Sequence, residues 1–207
     1  MDQLFKGAVR FRERSFANHK ELFQKLGHGQ QPHTLFIGCS DSRVVPELIT
    51  KTMPGELFVV RNIANIVPRY RVSKEYVSTT AAIEYAVRAL NVKNIVVCGH
   101  SNCGGCNALW NTEEEMRELP NVEHWLEQIG HVKQQVIDNH PNVTPEEREW
   151  ITEQVNIVAQ LDSLMSYPLI RERFKAGKLN VYGWYYVIGK GEVYNFNTTT
   201  REFEIIG

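Results

Sequence analysis

With 207 residues, 43% of them hydrophobic, the chain is long enough to bury one sizeable core. Its formal charge of −1 gives no basis for a polyanionic partner such as nucleic acid, and no apolar run reaches the roughly 18–20 residues of a membrane span. Four cysteines in so long a chain make no disulfide scaffold, and the N-terminus (Arg10, Arg12, Glu13, Arg14) lacks the apolar centre of a signal peptide, so a reducing, cytoplasmic setting is expected.

In chain order, residues 1–26 place Leu4, Phe5, Ala8, Phe11, Phe16, Leu22, Phe23 and Leu26 at mostly helical spacing, interrupted near Ser15–Asn18. This predicts two consecutive amphipathic helices. Gly27-His28-Gly29-Gln30-Gln31-Pro32 breaks the pattern, and Leu35-Phe36-Ile37-Gly38 reads as a buried strand. Pro54-Gly55 turns into a second strand, Leu57–Arg61. Ser78–Leu90 has the composition and apolar face of a helix, and Asn94–Gly99 is a third apolar strand.

From Thr112 to Gly177 the chain reads as mainly helical. Thr144-Pro145-Glu146-Glu147 is a helix start, with Thr144 as N-cap and Glu147 completing a capping box; Pro168 ends or kinks that helix and Gly177 closes the next. Val181–Ile188 and Val193–Phe196, joined through Gly189-Lys190-Gly191, form an antiparallel hairpin. The expectation is α/β: a single domain over 1–207 with a central, mostly parallel β-sheet, an antiparallel C-terminal edge hairpin, flanking helices and an N-terminal helical arm over 1–26.

Two of these strands run into soft metal ligands. The first leads to Cys39-Ser40-Asp41-Ser42-Arg43 and the third to His100-Ser101-Asn102-Cys103. Carboxyl ends of strands in an open α/β sheet meet at the crevice where ligands bind. Thiolate, imidazole and carboxylate are zinc ligands, and the short spacings let each segment turn two side chains onto one ion. Taken singly, Cys39 and Cys98 are ordinary buried strand cysteines and His100 a loop histidine; taken as a set they point to a metal. Cys103-Gly104-Gly105-Cys106 is a lone C-x-x-C, without the second pair of a zinc ribbon or the flanking Trp and Pro of a redox dithiol. Arg43 follows Cys39 too closely for a cysteine phosphatase loop.

At these motifs the chain resembles the β-class carbonic anhydrases. The likeness extends to Gly55-Glu56-Leu57-Phe58-Val59-Val60-Arg61-Asn62, Ala81-Ala82-Ile83-Glu84-Tyr85-Ala86-Val87 and Gly183-Trp184. The resemblance implies Cys39, His100 and Cys103 as permanent ligands of one Zn²⁺, with Asp41 either a fourth ligand or the partner of Arg43. It implies reversible hydration of carbon dioxide to bicarbonate and a proton, in a homodimer or a tetramer or octamer built of dimers, with the helical arm packing on a partner subunit. It also implies an apolar substrate wall of Phe58, Ile63 and Tyr85, some of it lent by that partner, and a hydrogen bond from Gln30 to substrate. Gly104 and Gly105 are expected to let backbone come close to the site.

Zinc lowers the pKa of bound water from about 15.7 to near 7, which needs an open coordination position. The Asp41–Arg43 pair is therefore expected to gate the metal and then orient the hydroxide. Hydrolysis of another linear heterocumulene, such as carbon disulfide, and a non-catalytic zinc- or bicarbonate-binding module are the alternatives. Some relatives of this class carry a noncatalytic bicarbonate pocket. The chain matches it at Gly38, Val44, Arg61 and Tyr186 but has Phe36 in place of its Trp, so no strong bicarbonate inhibition is expected.

Overall fold

The structure is a computed structural model describing residues 2–73 and 77–207. It falls into two compact units, Met1–Gln31 and Pro32–Gly207, divided at the Gly/Pro-containing break seen in the sequence. In the first unit, helix Asp2–Arg10 continues through a widened π turn, Phe11–Ser15, to Asn18, and a second helix spans Lys20–Leu26. Phe23 packs against Phe11 and Phe16 at centroid distances of 5.6 and 5.5 Å. Leu4, Phe5, Val9 and Phe11 nevertheless remain exposed.

The second unit is built on a six-stranded sheet of order β2-β1-β3-β4-β5-β6. Its strands are β1 (Thr34–Cys39), β2 (Leu57–Asn62), β3 (Asn94–His100), β4 (Asn180–Val187), β5 (Glu192–Asn197) and β6 (Glu202–Ile205). The first four are mutually parallel and the last three antiparallel. Every residue of β1, and all of β3 after Asn94, is buried, which is why these strands read as unbroken apolar runs. On one face Leu35, Ile37, Ile95 and Val97 pack with Ile83, Val87, Leu164 and Ile170; on the other Phe36, Val96 and Cys98 pack with Trp184 and Tyr186. The chain leaves β1 toward β2 but leaves β3 toward β4, so the sheet's switch point lies between β1 and β3.

The helix Pro145–Met165 begins with the expected Thr144–Glu147 capping box and stops two residues before Tyr167. Its Ile157 presses directly on Gly99 and Gly183, where a Cβ would stand 2.7 and 2.9 Å from Ile157 atoms. That close approach lays Glu153, one turn earlier, over the loop that follows β3. Three features differ from the sequence reading. Strand β6 extends the expected edge hairpin to three strands; its Glu-Phe-Glu-Ile segment is short and half charged, so the apolar signal is weak. The expected helix Ser78–Leu90 is α-helical to Glu84 and then widens to a π turn, Tyr85–Ala89. A short helix, Pro46–Thr50, follows the β1 loop.

Candidate metal centre

Cys39 and His100 are the last residues of neighbouring parallel strands, so the sheet itself brings them together at the switch point. Asn102, in the left-handed region at φ 53°, turns the chain so that Cys103 joins them at the start of a short helix, Gly104–Asn107. The ligand atoms of Cys39, His100 and Cys103 all lie within 4.8 Å of one another, and all three residues are buried. The two sulfurs are 3.9 Å apart. Tetrahedral zinc with bonds to sulfur of about 2.3 Å would hold two thiolates about 3.8 Å apart. His100 Nδ1 lies 3.0 Å from the Ser101 carbonyl oxygen, which only accepts, so Nδ1 carries the proton and donates it. Nε2 is left with a lone pair, buried, and without a hydrogen-bond partner among the described residues. A buried, unpartnered imidazole nitrogen beside two thiols is the donor set a metal ion requires, and the residues present fit zinc.

The loop after β1 is braced from two sides. Arg43 donates from its backbone N–H and from Nε to Asp41 Oδ1, both at 2.9 Å, and from Nη2 to Oδ2 at 2.7 Å. The same Nη2 reaches the Asn102 carbonyl at 3.0 Å, tying the two ligand loops together. Arg61 donates to the carbonyls of Cys39 and Asp41 at 2.9 and 2.6 Å. Of the two arrangements left open for Asp41, the structure therefore has the Arg43-paired one. Oδ2 stands 4.0 Å from His100 Nε2, beside the Cys39–His100–Cys103 cluster. The Arg43 guanidinium holds the Asp41 carboxyl well below the usual carboxylate range.

The thiols respond in the opposite sense. A hydrogen bond with the Cys103 thiol, together with burial, pushes Cys39 up to about 12. Cys103 is raised as well, first by its contact with Cys106. Without an ion both sulfurs keep their protons, so metal uptake must displace them. On the far side of Cys103, its backbone N–H donates to Glu153 Oε1 at 2.7 Å, and the Tyr185 hydroxyl donates to Glu153 Oε2 at 2.7 Å. Burial pushes the Glu153 carboxyl up to about 7 against the pull of those two hydrogen bonds.

The other expected site residues divide. Ile63 follows β2 directly, is 38% exposed, and packs at Gly105, where an added Cβ would lie 2.8 Å from Ile63 Cγ2 and 2.9 Å from Ala64 Cβ. Gly105 thus permits the close approach expected of the glycine pair, whereas a Cβ on Gly104 would meet nothing within 4 Å. Phe58 and Tyr85 stack together with centroids 5.9 Å apart, but Phe58 pairs with Leu35 while Cys39 pairs with Asn62. Four strand residues span about 13 Å, so this chain does not bring the Phe58–Tyr85 pair to its own Cys39–His100–Cys103 cluster. Gln30 is exposed and belongs to the first unit.

Sequence reasoning missed the bracing role of Arg61, the Trp125 indole N–H bond to the Ile63 carbonyl at 3.0 Å, and Glu153 with Tyr185. Glu153 did leave a trace, since it shares a helix face with Ile157, Gln160 and Leu164. A cavity of about 700 Å³ lies apart from the Cys39–His100–Cys103 cluster, between the long helix and strands β4 to β6, and is lined by His140, Asp162, Tyr185, Tyr194 and Phe203.

Comparison with known proteins agrees with this geometry. A sequence profile of the carbonic anhydrase family matches residues 34–193. A carbonic anhydrase of Helicobacter pylori strain J99 is 41% identical, covering 99% of this chain and 94% of that protein. One from Synechocystis is 40% identical over 98% of this chain and 73% of its own length. Among solved structures, the β-carbonic anhydrase CcaA superposes with a TM-score of 0.95 at 40% identity, covering 100% and 99% of the two chains. A tetrameric β-carbonic anhydrase of Sordaria macrospora gives 0.83 at 34% identity, covering 95% and 96%. With a buried Cys-His-Cys triangle at the switch point and relatives matching from end to end, the chain belongs to the β-class carbonic anhydrase family.

Proposed function

We propose that this chain catalyses the reversible hydration of carbon dioxide to bicarbonate and a proton at a zinc ion held by Cys39, His100 and Cys103, with the Asp41–Arg43 pair as its gate. The observation that carries this is the orphaned His100 Nε2 facing two buried thiols beside an arginine-clamped carboxylate. Two thiolates and one imidazole suit zinc and leave a fourth position open. Bound there, zinc supplies Lewis acidity that makes water a nucleophile near neutral pH.

Everything else falls to the protein. Arg43 keeps the Asp41 carboxylate ionised and turned aside, so that it acts as a hydrogen-bond acceptor orienting the attacking oxygen. Released from Arg43, the same carboxylate is free to become a fourth protein ligand and close the site. Arg61 fixes the backbone on which both groups ride. Ile63 lines the apolar side, and the open face of Gly104 leaves room beside it. Gln30 donates a hydrogen bond to substrate as part of the same proposal.

The apolar wall completes the argument for assembly. Phe58 and Tyr85, with Tyr85 52% exposed, sit too far along the sheet to serve their own Cys39. We assign them to the site of a second copy, making the enzyme a homodimer or an assembly of dimers. The exposed Leu4, Phe5 and Phe11 of residues 1–26 give that arm an apolar surface to lay on the partner. Among the described residues no helix is long and apolar enough to cross a membrane, and all four cysteines are free thiols, in keeping with a cytoplasmic protein.

Stopped-flow hydration of carbon dioxide over about pH 6.5–9, on protein whose zinc content is counted, tests the reading. Turnover that tracks zinc supports it. Stoichiometric zinc without turnover, or full turnover after C39A and H100A together, overturns it.

A further inference from the structure

A backbone amide buried at a metal ligand must find an acceptor, and Cys103 finds it fifty residues away. Cys103 begins the Gly104–Asn107 helix at φ −74° and ψ 107°, and its side chain is 1% exposed. Its N–H points away from the turn and into Glu153 Oε1 at 2.7 Å. Glu153 is itself 1% exposed and sits mid-helix, one turn before the Ile157 contact with Gly99 and Gly183. The second oxygen takes the Tyr185 hydroxyl at 2.7 Å, and the Tyr185 ring is 6% exposed and packs edge-on against Phe203 at 6.1 Å. Both carboxylate oxygens are thus used, and each partner is immobilised by its own packing.

We propose that Glu153 is the positioning residue of the metal centre: it fixes the Cys103 main chain, and hence the direction of the Cys103 thiol, while Tyr185 holds the carboxylate in place. This rests on the reading of Cys39, His100 and Cys103 as zinc ligands. The chemistry favours position over general stability. A carboxylate buried against the backbone of Cys103 is costly to desolvate, and an apolar side chain would fill the same space more cheaply. Such a side chain could not receive the Cys103 N–H, and a buried orphan amide would turn the ligand loop toward any other acceptor. Partners of metal ligands typically change metal affinity 10- to 100-fold when removed.

The test compares Glu153→Met, which keeps the volume and removes the acceptor, with Glu153→Gln, which keeps an acceptor for the N–H. Zinc affinity is measured by competition with a chromophoric chelator, and the thiolate-to-metal charge-transfer band is recorded after substitution with Co²⁺. E153M is expected to weaken zinc binding about 10- to 100-fold and to shift that band, and E153Q to restore both to within a few-fold of the parent. Tyr185→Phe, which leaves the carboxylate with one donor, should fall between them and carries the test if E153M does not fold. An E153M or Y185F protein with lower thermal stability but parental zinc affinity and cobalt spectrum overturns the proposal, as does E153Q behaving like E153M. Parent protein that binds zinc tightly yet hydrates no carbon dioxide would sink the functional reading and leave this one standing; parent protein that binds no zinc would sink both.

Discussion

The two ends of the parallel sheet make opposite use of the same strands. At the carboxyl ends of β1 and β3, thiols, an imidazole and an arginine-clamped carboxylate converge within a few ångströms. At the other end of β2, half-buried Phe58 packs against exposed Tyr85. One end gathers the metal-binding donors together with Ile63, and the other holds the aromatic pair. With Phe58 and Tyr85 assigned to a second copy, as we propose, a single chain carries complementary halves of two sites, and the difference makes catalysis dependent on assembly.

The strongest way to break that comparison is to remove a ligand. C39S or H100A is expected to lose stoichiometric zinc and to fall to background hydration, seen by metal analysis and stopped flow on one sample. Next in size is the gate: R43A should lower kcat/KM about a hundredfold with zinc retained, because Asp41 is freed toward the ion. Full activity in R43A would remove the gating role. Acid should act on the same end. Burial and thiol–thiol hydrogen bonding raise Cys39 to about 12, and Cys103 is raised too, so both are neutral when metal-free and each must lose a proton on binding. Zinc affinity is therefore expected to rise with pH, by roughly a hundredfold per unit below pH 8, and calorimetry in buffers of different ionisation enthalpy should show about two protons released.

The opposite end should give smaller effects. Y85A or F58A should cost about tenfold in kcat/KM with zinc content unchanged. Mixing either variant with C39S sharpens the point, since hybrid dimers pairing an intact metal end with an intact wall would regain activity. A concentration-independent monomer by gel filtration would instead dissolve the two-halves picture. The smallest expected effect is at the sheet face behind the site, where Phe36 is fully buried edge-on against Trp184 and offers no N–H donor. Bicarbonate titration near neutral pH should show no steep, cooperative inhibition; a sigmoidal curve would reverse that expectation.

The Cys39–His100–Cys103 cluster was legible because Cys39 and His100 end apolar runs whose burial dictates a strand, a parallel sheet aligns such ends, and Cys103 follows within one turn. The helix beginning at Thr144 was legible because its capping box is written within four residues. Strand β6 was not, since Phe203 is its one half-buried apolar anchor between two glutamates. Nor could the sequence say that Phe58 lies away from Cys39, because that depends on the register of β1 against β2. Glu153 and Cys103 are fifty residues apart, and their bond exists only through the packing of one helix on two strands. Local patterns carried the local elements; what needed three-dimensional register stayed hidden.

Gly99 and Gly183 lie on neighbouring strands, and each lacks the one carbon that would collide with Ile157. Two missing methyl groups thus act as a gauge block, fixing how far a rigid rod stands off the surface beneath it. Adding either carbon would lift the rod by a few tenths of an ångström or more, and the Glu153 oxygen that reaches down to the Cys103 loop would rise with it. The spacing of a reaction centre is set, in this fold, partly by atoms that are not there.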